Sequence, residues 1–165
     1  MGKLRNRLPQ ETAGLGPVDS RGRLSPHSER LSLPSALSNR ELIQRFESDS
    51  SPEESFHHAD HVRLAFAYLC EYPALQALDK FCAALKRFAA ARGKSGLYHE
   101  TITHAYFFLI RERMARWPAA DWEEFSRRNP DLLIWREGIL SRYYQPATLQ
   151  SDLARAVFLL PDKFC

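Results

Sequence analysis

The sequence predicts an all-α protein, a single-domain helical bundle with an irregular C-terminal third and a disordered N-terminal tail. Apolar residues recur at helical spacing through most of residues 39–117. Proline, glycine and capping residues bound these segments, and no segment sustains the two-residue alternation of a β-strand. Because each amphipathic helix must bury one face, several in succession are expected to pack as a bundle.

Composition and charge indicate which classes of protein the chain can belong to. The chain has 165 residues, 44% of them apolar and 26% charged, as in ordinary globular domains. Its net charge is +3, yet the first forty residues alone carry seven basic and three acidic side chains. The remainder is therefore close to neutral, which argues against a nucleic-acid partner.

The domain boundary is expected near residue 37. Residues 1–37 are rich in Arg, Ser and Pro and have no apolar period, so they are predicted to be a disordered basic tail, followed by a single all-α domain over 38–165. No apolar run approaches the roughly 20 residues that span a bilayer. The three cysteines form no CxxC pair, and Cys70 and Cys82 are expected to be buried thiols. We therefore expect a cytoplasmic protein without a membrane partner.

The helices can be placed in order from their start and stop signals. Ser38 and Glu41 form a capping-box pattern for the first helix, and Pro73 and Gly93 bound the third. The second is expected over 52–72, with an alternative start near residue 60, and the fourth over 98–117. Asp121 begins a fifth. Shorter helical pieces are expected at 132–135, 139–144 and 149–158.

Two short runs, 56–61 and 98–104, hold five of the six histidines. A helix turns about 100° per residue, so the direction of each side chain follows from its position. Relative to Val62, His58 lies about 40° from the centre of the apolar face and His61 about 100° away. Relative to Ile102, His99 lies about 60° away. We therefore expect His58, His99 and, marginally, His61 to face the core.

The same geometry places Glu100 and His104 beyond about 150°, on the polar face of the fourth helix. Their i, i+4 spacing resembles half of a helical metal site. Because they point away from the predicted core, we expect an exposed Glu–His contact instead.

Imidazoles from separate helices can hold a transition metal or supply a general base. The sequence therefore predicts a His-lined pocket between the second and fourth helices, with His58 and His99 as candidate catalytic residues. His58, His61 and His99 are the candidate ligands of a divalent transition metal. The ligand could equally be a small molecule, and whether the protein is an enzyme stays open. The alternative is a non-catalytic, partner-binding helical module whose histidines are hydrogen-bonded in the core.

Several runs together resemble a family of bacterial proteins. These runs are FHHADHVRLA at 56–65, YHETIT at 98–103, NPDLL at 129–133, RYY at 142–144 and the closing LPD at 160–162. The resemblance covers roughly residues 39–162. It implies one bacterial domain and draws attention to the histidine runs, but it implies no particular reaction.

Overall fold

A computed structural model describes residues 37–48, 56–136 and 138–163, and every structural statement below concerns these residues. The chain divides between Ser35 and Ala36 into two units, and the description applies to the second. Apart from Leu37, the predicted disordered tail lies outside the described residues.

The described residues are helical and contain no strand, which confirms the predicted all-α class. The α-helices are α1 (Asn39–Glu47), α2 (His58–Glu71), α3 (Ala74–Ala91), α4 (Glu100–Arg116), α5 (Trp122–Arg128), α6 (Pro146–Gln150) and α7 (Asp152–Ala156). Three short 3₁₀ helices cover Ser95–Leu97, Pro130–Leu133 and Ile139–Arg142. No helix in this part of the chain is long and apolar enough to cross a membrane.

Several helix ends follow the local signals. The Ser38 hydroxyl oxygen accepts a hydrogen bond from the Glu41 N–H (3.3 Å), and the Glu41 carboxylate accepts from the Ser38 N–H (2.9 Å), as a capping box requires. After α3 the backbone of Gly93 adopts a φ of 64°, a left-handed conformation that glycine takes at low cost. Both signals were predicted from the sequence and are confirmed.

The second helix begins between its two predicted starts, close to the alternative near residue 60, and the fourth begins two residues later than predicted. α2 starts at His58, where the Asp60 carboxylate accepts a hydrogen bond from the His57 N–H (2.7 Å); residues 51–55 lie outside the described part. α4 starts at Glu100, because His99 has an extended backbone and its Nδ1 accepts a hydrogen bond from the Ile102 N–H (3.3 Å). Each histidine run therefore contains a helix cap, which alters what its side chains can do.

The core forms where α2 packs against α1, α3 and α4. Among the largest fully buried side chains are Tyr68, Leu64, Phe107 and Ile110. The Tyr68 hydroxyl donates a hydrogen bond to the Glu47 carboxylate (2.9 Å), which satisfies the polar end of an otherwise apolar contact. Cys82 is buried as predicted, whereas the prediction for Cys70 was wrong, since that residue is exposed near the end of α2.

The C-terminal third wraps around α4. The Thr101 hydroxyl, fully buried, donates a hydrogen bond to the Val157 carbonyl (2.8 Å) and accepts one from the Leu159 N–H (3.0 Å). The Tyr144 hydroxyl donates to the Leu159 carbonyl (2.9 Å). The two Thr101 bonds hold the segment after α7 against α4.

Candidate functional site

A partly open cavity of about 580 Å³ lies between α2, α3 and α4 and is bordered by residues of the C-terminal third. Most of its wall is apolar or aromatic. The polar side chains in the wall are His58, His61, Arg92, Lys94, Tyr98, His99, Thr103, Tyr106 and Arg155. The three histidines singled out by the sequence thus line one cavity.

His58 is half-buried and held by residues from the C-terminal third. Its Nε2 lies 2.9 Å from the Leu132 carbonyl oxygen, and since a carbonyl can only accept, Nε2 carries the proton. The ring packs edge-on against Tyr106 and beside Trp135, with centroids 4.6 and 5.2 Å away. Burial lowers the pKa of His58, so the ring is neutral near pH 7 and Nδ1 carries a lone pair.

His61 uses the opposite ring nitrogen. Its Nδ1–H donates to the His57 carbonyl (3.0 Å), which leaves the lone pair on Nε2. The ring packs edge-on against Phe56, with centroids 4.3 Å apart. Burial is the main cause that lowers the pKa of His61, and the nearby His58 lowers it further. His58 and His61 are therefore two neutral imidazoles, each with one nitrogen able to accept a hydrogen bond.

His99 differs from both, because its two ring nitrogens are already engaged. Nε2–H donates to the Leu149 carbonyl (2.8 Å), and Nδ1 accepts from the Ile102 N–H (3.3 Å). The residue is only 7% exposed. In this conformation the ring has no lone pair for a metal and no acceptor for a proton, so the geometry does not support the predicted catalytic and metal-binding roles of His99.

The predicted metal set of His58, His61 and His99 is accordingly not assembled. Among the described residues, no group of three or more His, Cys, Asp or Glu side chains is arranged to hold a metal ion. The physical reason lies at the start of α4: His99 is the N-cap residue and uses both ring nitrogens in hydrogen bonds to backbone groups, so His58 and His61 are the two members of the predicted set that keep a lone pair.

The prediction that Glu100 and His104 are mostly exposed was wrong. Their side chains are 22% and 16% exposed, and His104 stacks on Phe158 from the C-terminal segment, with centroids 5.5 Å apart. Glu100 also pairs with Lys86 at 3.2 Å. A helical wheel assumes one buried face, whereas α4 is covered by α2, α3 and α7.

Tyr106 brings a phenol to the cavity wall beside His58. Burial, with a smaller contribution from the negative charge of Asp131, raises the pKa of Tyr106 to about 12, so the hydroxyl stays protonated. A β-carbon at Gly138 would lie 2.8 Å from that hydroxyl and 2.5 Å from the Ile134 carbonyl. Only glycine fits there without displacing the segment that positions Trp135 over His58.

Sequence reasoning missed the cationic part of the wall. Arg92, Lys94 and Arg155 line the cavity, and none of the described residues that line it is Asp or Glu. The Arg92 guanidinium lies 3.6 Å from the centre of the Phe88 ring, and Arg155 donates to the Gly96 carbonyl (3.5 Å). Arg92 and Lys94 follow the end of α3, whereas Arg155 lies in α7, so no local pattern connects the first two cations with the third.

Comparison with known proteins finds no match among protein-family models, curated proteins or solved structures. The resemblance to a bacterial family therefore stays a prediction.

Proposed function

We propose that the protein binds a small, largely apolar molecule in the cavity between α2, α3 and α4. The observation that carries the proposal is the composition of the wall: aromatic and aliphatic side chains with a few polar groups around about 580 Å³. Small-molecule sites in proteins typically measure about 300–1,000 Å³ and have walls of this kind.

Within this site, His58 and His61 are the groups that would orient the ligand. Each is neutral near pH 7 and keeps one ring nitrogen as an acceptor, Nδ1 in His58 and Nε2 in His61. A hydroxyl or amide of the ligand would donate to them. The same lone pairs are what a general base requires. A reaction at this site would thus be a proton abstraction by His58 or His61.

A divalent transition metal is a weaker candidate for the occupant. Zinc sites in proteins use three or four protein ligands. Of the three described histidines that line the cavity, His58 and His61 keep a ring nitrogen with a lone pair, whereas His99 uses both of its nitrogens in hydrogen bonds. The alternative is a non-catalytic helical module with structural histidines. Of the three lining histidines, His99 favours this alternative, because both of its ring nitrogens are used in hydrogen bonds to the backbone.

The proposal is tested with a neutral apolar probe, decan-1-ol, by isothermal titration calorimetry on the full chain. Ala89 lines the cavity and Ala90, its neighbour on α3, is exposed and does not. We expect Ala89→Phe to weaken decan-1-ol binding by about tenfold or more, because the ring occupies the cavity. Ala90→Phe is the matched control and should change the affinity less than about twofold.

Equal affinities in the two variants would place the probe elsewhere on the protein. The proposal would be refuted if the wild-type chain showed saturable binding neither of decan-1-ol nor of its carboxylate analogue, decanoate.

A further inference from the structure

A second cavity, of about 320 Å³, shares part of its wall with the first. Ile102, Tyr106 and Trp135 line both cavities, so these three side chains stand where the two meet. The rest of the second wall comes from residues 138–150 of the C-terminal third, and most of its surface is apolar. The second cavity is therefore placed to receive a further part of a molecule that is bound in the first.

Tyr106 brings a polar group to the junction of the two cavities. Its ring packs edge-on against His58 of the first cavity, with centroids 4.6 Å apart. Its hydroxyl lies beside Gly138 of the second cavity, because a β-carbon on that glycine would lie 2.8 Å from the hydroxyl oxygen. A single side chain thus contacts the first cavity with its ring and reaches the second with its hydroxyl.

The Tyr106 hydroxyl is available as a hydrogen-bond donor. Burial raises the pKa of Tyr106 to about 12, so the phenol keeps its proton at neutral pH. The residue is only 8% exposed, and its hydroxyl makes no hydrogen bond within the described part of the chain. A buried donor that lacks an acceptor destabilises a structure, and a ligand that supplies the acceptor removes that cost.

We infer that the ligand is an apolar carbonyl compound that extends through both cavities. Its carbonyl oxygen accepts a hydrogen bond from the Tyr106 hydroxyl, and one apolar arm lies in each cavity. This inference rests on the proposed function and specifies the chemical class of its ligand. A carbonyl oxygen accepts hydrogen bonds and donates none, which matches a wall group that donates. Tyr106 is then the residue that selects the ligand.

The two volumes limit the length of each arm. At roughly 30 Å³ for each non-hydrogen group, the share of one water molecule, the first cavity holds about 20 groups and the second about ten. A suitable probe is undecan-5-one, a neutral ketone whose arms of four and six carbons are within both limits.

The hydrogen bond is tested by infrared difference spectroscopy of undecan-5-one bound to the full-length protein. A hydrogen bond to a carbonyl oxygen weakens the C=O bond and lowers its stretching frequency. We expect a lower frequency in the wild type than in Tyr106→Phe, which keeps the ring against His58 and removes only the hydroxyl. Tyr143→Phe is the matched control: Tyr143 lines neither cavity, so the frequency should equal that of the wild type.

Calorimetric titrations of the same variants give the matching affinities. Tyr106→Phe should weaken binding of undecan-5-one by about tenfold, because the carbonyl loses its donor. Binding of decan-1-ol should stay within about twofold of the wild type, because its hydroxyl donates to His58 or His61 instead.

The second arm is tested by filling the second cavity. Ser141 is exposed and lines that cavity, whereas its exposed neighbour Arg142 lines neither. We expect Ser141→Phe to weaken binding of undecan-5-one by about tenfold and to leave decan-1-ol binding within about twofold, since only the ketone enters the second cavity. Arg142→Phe is the control and should change neither affinity by more than about twofold.

The outcomes separate this inference from the proposed function. Equal carbonyl frequencies in the wild type and Tyr106→Phe, or equal ketone affinities in Ser141→Phe and Arg142→Phe, would overturn the inference. So would binding of decan-1-ol without binding of the ketone. In each of these cases decan-1-ol binding leaves the apolar site of the first cavity standing. If the chain binds none of undecan-5-one, decan-1-ol and decanoate, the proposed function fails as well.

Discussion

At the scale of single residues, His58 and His61 contribute a pH-dependent term to stability. Burial lowers the pKa of both imidazoles below the ordinary 6.5. For His61 the nearby Asp60 opposes this effect but does not reverse it. Between the folded-state pKa and 6.5, the unfolded chain therefore binds more protons than the folded one, and stability must rise with pH.

We predict that the free energy of unfolding falls as the pH is lowered from 7.5 through 6.5 toward the folded-state pKa values. The contribution of the two neutral imidazoles to stability is fully present above pH 6.5. It is lost at lower pH, as protons bind to the rings. The slope for each proton cannot exceed about 1.4 kcal/mol per pH unit. Urea denaturation at several pH values measures it.

His61→Gln should flatten the pH dependence, because it removes one of the two imidazoles whose pKa is lowered by burial. His57→Gln, which removes an exposed imidazole from the same helix end, is the control and should keep the wild-type slope. A His61→Gln variant with an unchanged slope would contradict the prediction.

The inward direction of His58 could be predicted from the sequence, because His58 lies in α2 and helical rotation fixes where its side chain points. His99 is also buried, but helical rotation does not explain its direction, since its backbone is extended and α4 begins one residue later. Whether each ring nitrogen donates or accepts a hydrogen bond could not be predicted from the sequence. The partner of His58 is a carbonyl 74 residues away, and that of His99 is 50 residues away. Whether a histidine is a ligand or a structural link depends on such contacts, which have no local pattern.

At the scale of elements, α4 packs against three other helices, α2, α3 and α7. α2 and α3 pack on it, and α7 and the following segment cover it from the other side. Thr101 joins the two parts through hydrogen bonds to the Val157 carbonyl and the Leu159 N–H. A fully buried hydroxyl thus satisfies two backbone groups of a segment without regular structure.

We predict that Thr101→Val destabilises the fold by about 1–3 kcal/mol, because an almost isosteric side chain removes both hydrogen bonds of a fully buried hydroxyl and leaves the Val157 carbonyl and the Leu159 N–H without this partner. Chemical denaturation measures the loss, and hydrogen exchange should show faster exchange at the Leu159 amide. Thr103→Val is the matched control, since Thr103 makes no hydrogen bond through its side chain among the described contacts. Equal effects of the two substitutions would mean that the Thr101 hydroxyl contributes nothing specific.

Helix ends were predictable wherever the signal is local. Ser38 with Glu41 and the left-handed Gly93 behave as their sequence patterns indicate. The environment of Glu100 and His104 was not predictable, because the covering Phe158 lies more than fifty residues further along the chain. The apolar periodicity of a helix indicates which one of its faces is preferentially buried. It does not indicate whether a second element packs against the opposite face.

At the scale of the whole molecule, the charge of the cavity is a tertiary property. Its three cations come from two distant stretches of sequence, Arg92 and Lys94 from one and Arg155 from the other, and each taken alone resembles an ordinary surface residue. The fold class could be predicted because helical periodicity is repeated many times along the chain. The cationic wall could not, because it depends on a single arrangement of α3, the following loop and α7.

The boundary of the helical domain leads to a last prediction. The composition of residues 1–37 lacks the apolar content needed to offset the entropy of ordering, so we expect removal of residues 1–35 to change the melting temperature by less than about 2 °C.

Ser38→Ala in the shortened chain shows that the assay can detect small losses of stability. It removes the hydroxyl that accepts from the Glu41 N–H, which costs about 1 kcal/mol, or roughly 2–4 °C in a domain of this size. Calorimetry of the three proteins measures both effects. A larger loss on truncation than on Ser38→Ala would show that residues 1–35 contribute to the stability of the domain.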